Sequence, residues 1–176
     1  MTTPTGSQYD GLSFDPSALV AVSIVRAGDS MLDTFISVAP EATVGKILIQ
    51  RNEETAEPIL FYLKLPSLIN KHIILLDPML ATGGSAKCAV QVLLDNGALE
   101  ENITFLNVLS CPEGVNAIMS AFPKMRIVTG EIDPGLNEKV CGECSNIVNC
   151  ADFSVSQRYI IPGLGDFGDR FFGTTA

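Results

Sequence analysis

Positive charge is scarce in this chain: 11 lysines and arginines face 20 aspartates and glutamates, a formal net charge of -9. Nucleic acids and anionic membranes recruit proteins through a basic face, so neither is expected as the main partner. Any anionic small molecule must then be met by local positive groups. Histidine is nearly absent, His72 being the only one, which leaves little imidazole acid–base machinery. Without an H-R-D sequence, Asp166-Phe167-Gly168 is not the kinase metal motif. No apolar run reaches the ~18 residues of a membrane span, and the polar start from Met1 to Gly6 lacks a secretory leader pattern. A cytoplasmic location is therefore expected. The cysteines (Cys88, Cys111, Cys141, Cys144, Cys150) are odd in number, which fits reduced thiols better than a disulfide framework.

The common phosphate loops are missing as well. No Gly-Lys-Ser/Thr follows a glycine loop, so there is no Walker sequence. Residues Gly163 to Gly168 do match G-x-G-x-x-G, but a dinucleotide fingerprint opens a helix inside a βαβ unit, and the chain runs out soon afterwards. The match is read as coincidental.

What is present is an alternation of short apolar, β-branched runs with helix patterns. Strands are expected at Val20–Val25, Lys46–Gln50, Ile59–Leu63, Ile73–Leu76, Ile103–Leu109 and Arg126–Val128, most of them buried on both faces of a parallel sheet. Helices are expected at Ser30–Val38, Ser85–Asn96 and Glu113–Phe122. This order predicts a single α/β domain over residues 1–176, with right-handed crossovers and ligands at the carboxyl ends of the strands. Two strand runs flank the charged turn 52–57, which suggests a β-hairpin arm. His72 and the methionines are read as packing residues, and so are Phe171 and Phe172.

The most informative stretch runs from Ile73 to Ser85: an apolar strand, Asp77, a small-residue loop, then a helix pattern in Ala86, Ala89, Val90, Leu93 and Leu94. Gly83 and Gly84 let backbone approach a ligand, Thr82 and Ser85 offer hydroxyls, and the helix N-terminus adds roughly half a positive charge. A phosphate monoester would bind there without any lysine.

That loop resembles the ribose-5-phosphate loop of the phosphoribosyltransferases. Thr3-Pro4-Thr5-Gly6, Val22 to Gly28, Gly45 to Arg51, Asp77 to Ser85 and Tyr159 to Arg170 all resemble blocks of the uracil phosphoribosyltransferase family, in order and over nearly the whole chain. The resemblance implies a type I phosphoribosyltransferase fold: a central, mostly parallel sheet flanked by helices, with the β-hairpin arm and a small hood contributed mainly by about residues 131–165. It implies transfer of the phosphoribosyl group of 5-phosphoribosyl 1-diphosphate (PRPP) to N1 of uracil, giving UMP and diphosphate, with Mg2+ as cofactor. A homodimer or higher homo-oligomer clasped through the arm and a GTP effector also follow from the resemblance. Such a transfer needs a diphosphate neutralised and water excluded more than it needs acid–base groups.

Site residues carry over position by position. Arg26 and Arg51 are expected to hold diphosphate, because a guanidinium presents a planar fork of donors, with backbone amides of Ala27 and Gly28 beside them. A bulky residue at Gly28 is accordingly expected to impair donor binding more than stability. Asp77 is assigned to the ribose hydroxyls or the magnesium shell, and Pro78, Met79, Leu80, Ala81, Thr82, Gly83, Gly84 and Ser85 to the sugar phosphate. The resemblance places uracil against Ile160, Gly165, Asp166 and Phe167, with Asp166 also near the donor and, indirectly, its metal. Arg26, Arg51, Asp77 and Asp166 are thus the catalytic set. Magnesium keeps much of its hydration and would arrive on the donor's phosphates. Cytosine should be rejected, since its amino group leaves a buried amide unpaired.

Two departures from the family stand out. Members usually carry a helix and strand before the Thr-Pro-Thr-Gly block, whereas this N-terminus is short. Residues Glu138 to Arg158 form an insertion carrying Cys141, Cys144 and Cys150, three ligands where structural zinc takes four, so an enlarged hood loop with free thiols is preferred to a site completed by Asp152 or water. These departures motivate an alternative, a noncatalytic nucleotide-binding regulatory relative.

Overall fold

The computed structural model describes residues 1–11, 15–51, 58–137 and 158–174, Arg51 by its backbone only. Its centre is a seven-stranded sheet of order β3-β2-β1-β4-β6-β5, with β7 also paired to β6. The strands are β1 (Leu19–Val25), β2 (Thr43–Arg51), β3 (Pro58–Lys64), β4 (His72–Leu76), β5 (Met79–Leu80), β6 (Ile103–Ser110) and β7 (Arg126–Ile132). Every pairing is parallel except β2 with β3.

The alternation of side chains along β1 shows why both faces need covering. Val20, Val22 and Ile24 point into a layer with α2 (Gly84–Asp95) and α3 (Pro112–Ala121), packing with Ala86, Ala89, Val90, Leu93 and Ile118. Ala21 points the opposite way, into a smaller cluster with Leu32 and Phe35 of α1 (Asp29–Val38). Each large side chain removed from water, such as Phe105 or Leu75, contributes about 1.5–3 kcal/mol.

The six expected strands and three expected helices fall within a few residues of their places, whereas the short strands β5, at Met79–Leu80 within the expected loop, and those at Gly135–Leu136 and Ile160–Ile161 were not expected, and double-sided burial does not extend to the edges. On β3, Phe61 is 60% and Tyr62 52% exposed, and β7 is mostly exposed along its length. The helices lie over the middle of the sheet and leave these outer strands largely uncovered. The antiparallel β2–β3 pair forms the expected arm, its register running from Lys46 opposite Lys64 to Arg51 opposite Pro58. The turn 52–57 lies outside the described residues.

A second, two-stranded sheet pairs β8 (Gly135–Leu136) with β9 (Ile160–Ile161) beside the carboxyl end of β6. It falls within residues 131–165, the stretch expected to form the hood, of which residues 138–157, including Cys141, Cys144 and Cys150, lie outside the described residues. The chain then forms α4 (Phe167–Phe172), a short helix that no sequence pattern had suggested. Among the described residues no helix is long and apolar enough to cross a membrane.

Candidate active site

The carboxyl ends of β1 and β4 each release a loop, and the two loops meet. After β1, the amide of Gly28 donates to Ile24 O at 2.9 Å and that of Asp29 to Arg26 O at 3.2 Å, so residues 26–28 curl tightly before α1 begins. The peptide between Val25 and Arg26 is cis. The Asp29 carboxylate clamps the turn to the sheet, accepting from Ser23 Oγ at 2.6 Å and from Lys46 Nζ at 3.0 Å. Gly28 is pressed onto backbone: a Cβ there would lie 2.3 Å from Leu76 O and 2.8 Å from both Ile24 N and Ile24 O. This geometry argues against the expectation that substitution at Gly28 harms donor binding more than stability.

The loop after β4 is shaped by Asp77-Pro78. β4 pairs with residues 103–106 of β6, and β5 resumes on the same edge of β6 opposite Leu109 and Ser110. Between them proline can donate no hydrogen bond, and Pro78 O accepts from both Val108 N and Leu109 N at 3.0 Å. Asp77 sits in this interruption. Loss of water around its carboxyl pushes its pKa up to about 7, against the opposing pull of the Met79 amide.

From Leu80 the chain turns into α2, whose N-cap Gly83 is left-handed at φ 80° and carries no side-chain cap. Helix bonding begins with Lys87 N to Gly83 O at 2.8 Å, so the amides of Gly84, Ser85 and Ala86 have no intrahelical acceptor. Together with the Thr82 and Ser85 hydroxyls they form a cup of donors with a partial positive charge. Helix α2 thus starts at Gly84 instead of Ser85.

Sequence reasoning missed what supports the cup from below. Cys111 N donates to Leu80 O at 3.1 Å and its thiol to Ala81 O at 3.0 Å. Gly114 in α3 comes so close that a Cβ would lie 2.4 Å from Ala81 O. The Cys-Pro step that starts α3 was the available signal, because proline at the first helical position marks a helix entry. Burial pushes the Cys111 thiol above its ordinary pKa, so it acts as a neutral donor.

The third region follows β9. Ile160 is 3% exposed and packs with Met79, Ala81, Leu109, Cys111 and Leu136, which fastens the 160–168 loop to the cup. Gly163 N donates to Asp133 Oδ2 at 2.9 Å, and Asn137 N to Tyr159 O at 2.8 Å. The sequence reading gave neither Asp133 nor Asn137 a role. Gly165 is left-handed at φ 70°, and Asp166 caps α4 by accepting from Asp169 N at 2.9 Å. Ile160's own side chain is buried in protein contacts, so only its backbone is free to meet a ligand. Desolvation, followed by the nearby Asp166 and Asp169, raises the Tyr159 pKa.

Arg26 joins the first region to the third. Its guanidinium lies against α4, with Asp169, Thr174 and the Phe172 ring around it. The three regions therefore share one end of the sheet: Gly28 against Leu76, Ile160 against Met79 and Ala81, and Arg26 against α4. Arg51 ends β2 three positions beyond Leu48, which pairs with Val25, so its backbone lies about 10 Å further toward the same end.

Several packing assignments are corrected. Phe171 and Phe172 are 57% and 40% exposed, because α4 lies on the surface. His72 is exposed at the start of β4, and Met1 and Met119 are exposed as well.

The family model described as uracil phosphoribosyltransferase matches residues 1–142. A uracil phosphoribosyltransferase of Dictyostelium discoideum is 49% identical over 175 residues, covering 99% of this chain and 72% of that one. Uracil phosphoribosyltransferase 1 of Schizosaccharomyces pombe is 46% identical over 177 residues, covering 100% of this chain and 72% of the relative. Among solved structures, the AQ2163 protein of Aquifex aeolicus superposes with a TM-score of 0.77 at 35% identity, covering 100% of this chain and 74% of that chain. The chain thus spans about seven-tenths of the length of the curated relatives it matches.

Proposed function

This chain belongs to the uracil phosphoribosyltransferase family, and we propose on that footing that it transfers the phosphoribosyl group of PRPP to N1 of uracil, releasing UMP and diphosphate. Its fold is the type I phosphoribosyltransferase fold, and the reaction belongs to pyrimidine salvage. The observation that carries the site assignment is the meeting of the 26–28 turn, the α2 cup and the 160–168 loop at one end of the sheet.

The residues divide the work by their chemistry. Amides of Gly84 and Ser85, with the Thr82 and Ser85 hydroxyls, hold the 5-phosphate, while Asp77 accepts from the ribose hydroxyls. Arg26, Arg51 and the amides of Ala27 and Gly28 bind the diphosphate, which is the leaving group. Because negative charge grows on that group as the bond to C1 stretches, donors already fixed in place stabilise the transition state more than the ground state. The backbone of 160–167 reads the alternating donors and acceptors of uracil, with Phe167 beside the base and Asp166 toward the donor.

Magnesium fits this set as an ion carried by the substrate. Asp77 is a partly exposed carboxyl that accepts from the Met79 amide, and Asp166 is exposed at the head of α4, so both can face a cation-bearing donor. Bound to the donor's phosphates, the ion would offset their charge, with Asp166 touching its water shell. Among the described residues no group of three or more His, Cys, Asp or Glu is arranged to hold a metal directly.

The exposed apolar arm, with Phe61 and Tyr62 outermost, supports a homodimer or higher homo-oligomer. A cytoplasmic location and a GTP effector complete the proposal.

Incubation with uracil, PRPP and magnesium should yield UMP and diphosphate, with cytosine giving no product. Nucleotide binding without turnover would instead support the regulatory relative, which the enzyme names of the curated relatives do not favour. Arg51→Ala should raise the PRPP KM about tenfold, the cost of a charge-assisted hydrogen bond, with an unchanged unfolding midpoint. An unaltered PRPP KM would remove Arg51 from the site.

A further inference from the structure

We propose that Asp169 is a positioning residue for Arg26, so that the helix following the base loop holds the guanidinium ready for the donor's diphosphate. The proposal rests on the reading of Arg26 as a diphosphate contact and adds a partner 143 residues away in the chain.

Arg26 Nη2 donates to Asp169 Oδ1 at 2.5 Å and Nη1 to Thr174 Oγ1 at 2.7 Å, while Thr174 Oγ1 donates to the same Asp169 oxygen at 2.7 Å. The three side chains close a ring of hydrogen bonds. A fourth contact fixes the plane of the group, with the guanidinium carbon 5.7 Å from the centroid of the Phe172 ring. The α4 backbone is equally close, since a Cβ on Gly168 would lie 3.3 Å from Arg26 Nη2. Asp169 is itself held, its amide donating to Asp166 Oδ1 at 2.9 Å and its carbonyl accepting from Thr174 N at 3.0 Å.

Of the five N–H donors on a guanidinium, this arrangement uses two and leaves three for phosphate oxygens. Asp169 also brings a negative charge near the diphosphate, so the sign of its effect needs deciding. Side chains of Arg26 and Asp169 are 46% and 36% exposed, and solvent screens charges placed that way. Ordering a free arginine, in contrast, costs a large share of its rotamer freedom whether or not the medium screens charge. Pre-ordering therefore outweighs repulsion, and removal of Asp169 should weaken donor binding.

The ring also makes a link between substrates. Asp166 caps α4 and belongs to the base loop, so one chain of hydrogen bonds ties Asp169 and Arg26 to the loop assigned to uracil.

A double-mutant cycle on the full chain tests this, reading kcat, PRPP KM and uracil KM, with equilibrium dialysis of PRPP for slow variants. Asp169→Ala should raise the PRPP KM about three- to fivefold while kcat changes less than about twofold. Asp169→Asn, which keeps an oxygen acceptor for the guanidinium, should recover most of the loss. In an Arg26→Ala background, Asp169→Ala should add nothing. A lower PRPP KM in Asp169→Ala, or an equal effect with and without Arg26, would overturn the positioning role while leaving the site assignment intact. Unchanged PRPP affinity in Arg26→Ala would overturn both. Should Asp169→Ala fold poorly, Thr174→Val opens the same ring and serves the same cycle.

Discussion

Gly28→Ala should destabilise the protein by ~3 kcal/mol or more, the upper range for overpacking against atoms that cannot yield. The new methyl group would meet Leu76 O, Ile24 N and Ile24 O, all of them backbone atoms. Those atoms belong to β1 and β4, adjacent parallel strands with Ser23 opposite Leu76, so neither can move without breaking the centre of the sheet. A lysine or glutamate end could swing aside, but a strand carbonyl cannot. The urea midpoint should fall with an unchanged slope. A variant within about 1 kcal/mol of the parent that had lost only donor affinity would restore the sequence-based expectation that this glycine serves the ligand first.

Asp77→Asn should stabilise the ligand-free protein at alkaline pH while impairing donor use. The folded pKa is pushed up to about 7 by desolvation, from an ordinary value of 3.8. Between those two values the unfolded chain has lost its proton and the folded chain has kept it, so stability falls as pH rises through this window and levels off above it. The total cost is at most on the order of 4 kcal/mol, from about 1.4 kcal/mol per unit, because Asp77 keeps some exposure and solvent screens part of the penalty. Asparagine keeps an acceptor for the Met79 amide and has no proton to lose. In unfolding experiments with a chelator present, its advantage over the parent should widen by about 2–3 kcal/mol from pH 5 to pH 8. A gap independent of pH would show that the carboxyl is better solvated than its setting implies. A site that tolerates a desolvated acid in this way trades stability for function.

The parts of the fold legible in the sequence are those governed by local periodicity. β1 and β4 were readable as apolar runs because helices cover both their faces, β6 because one face is fully buried although Val108 on the other is exposed, and α2 from its i, i+3, i+4 stripe. The loops at Arg26–Gly28 and Asp77–Ser85 could be placed at strand ends for the same reason. Exposure at β3 and β7 was not legible, since an edge strand can be as β-branched as a central one. Helix α4 was missed because six residues give no periodicity, although Asp166 at its N-cap is a start signal and Gly173 at its C-cap a stop signal. The partners of Arg26 lie across the whole chain, and no pattern within a window can report them. Sequence places Cys111 only among the reduced thiols, yet it donates to the loop it supports. The two carbonyls that it and Gly114 approach, Leu80 and Ala81, lie in the segment read from sequence as the phosphate loop.

A crystal structure with bound UMP tests most directly whether the α2 cup and the 160–168 loop together hold one nucleotide. The phosphate should accept from the amides of residues 84–86 and the hydroxyls of Thr82 and Ser85, with the uracil ring against the backbone of 160–167 and Phe167. A nucleotide phosphate bound away from the start of α2, or a base that leaves the 160–167 backbone untouched, would contradict the assignment.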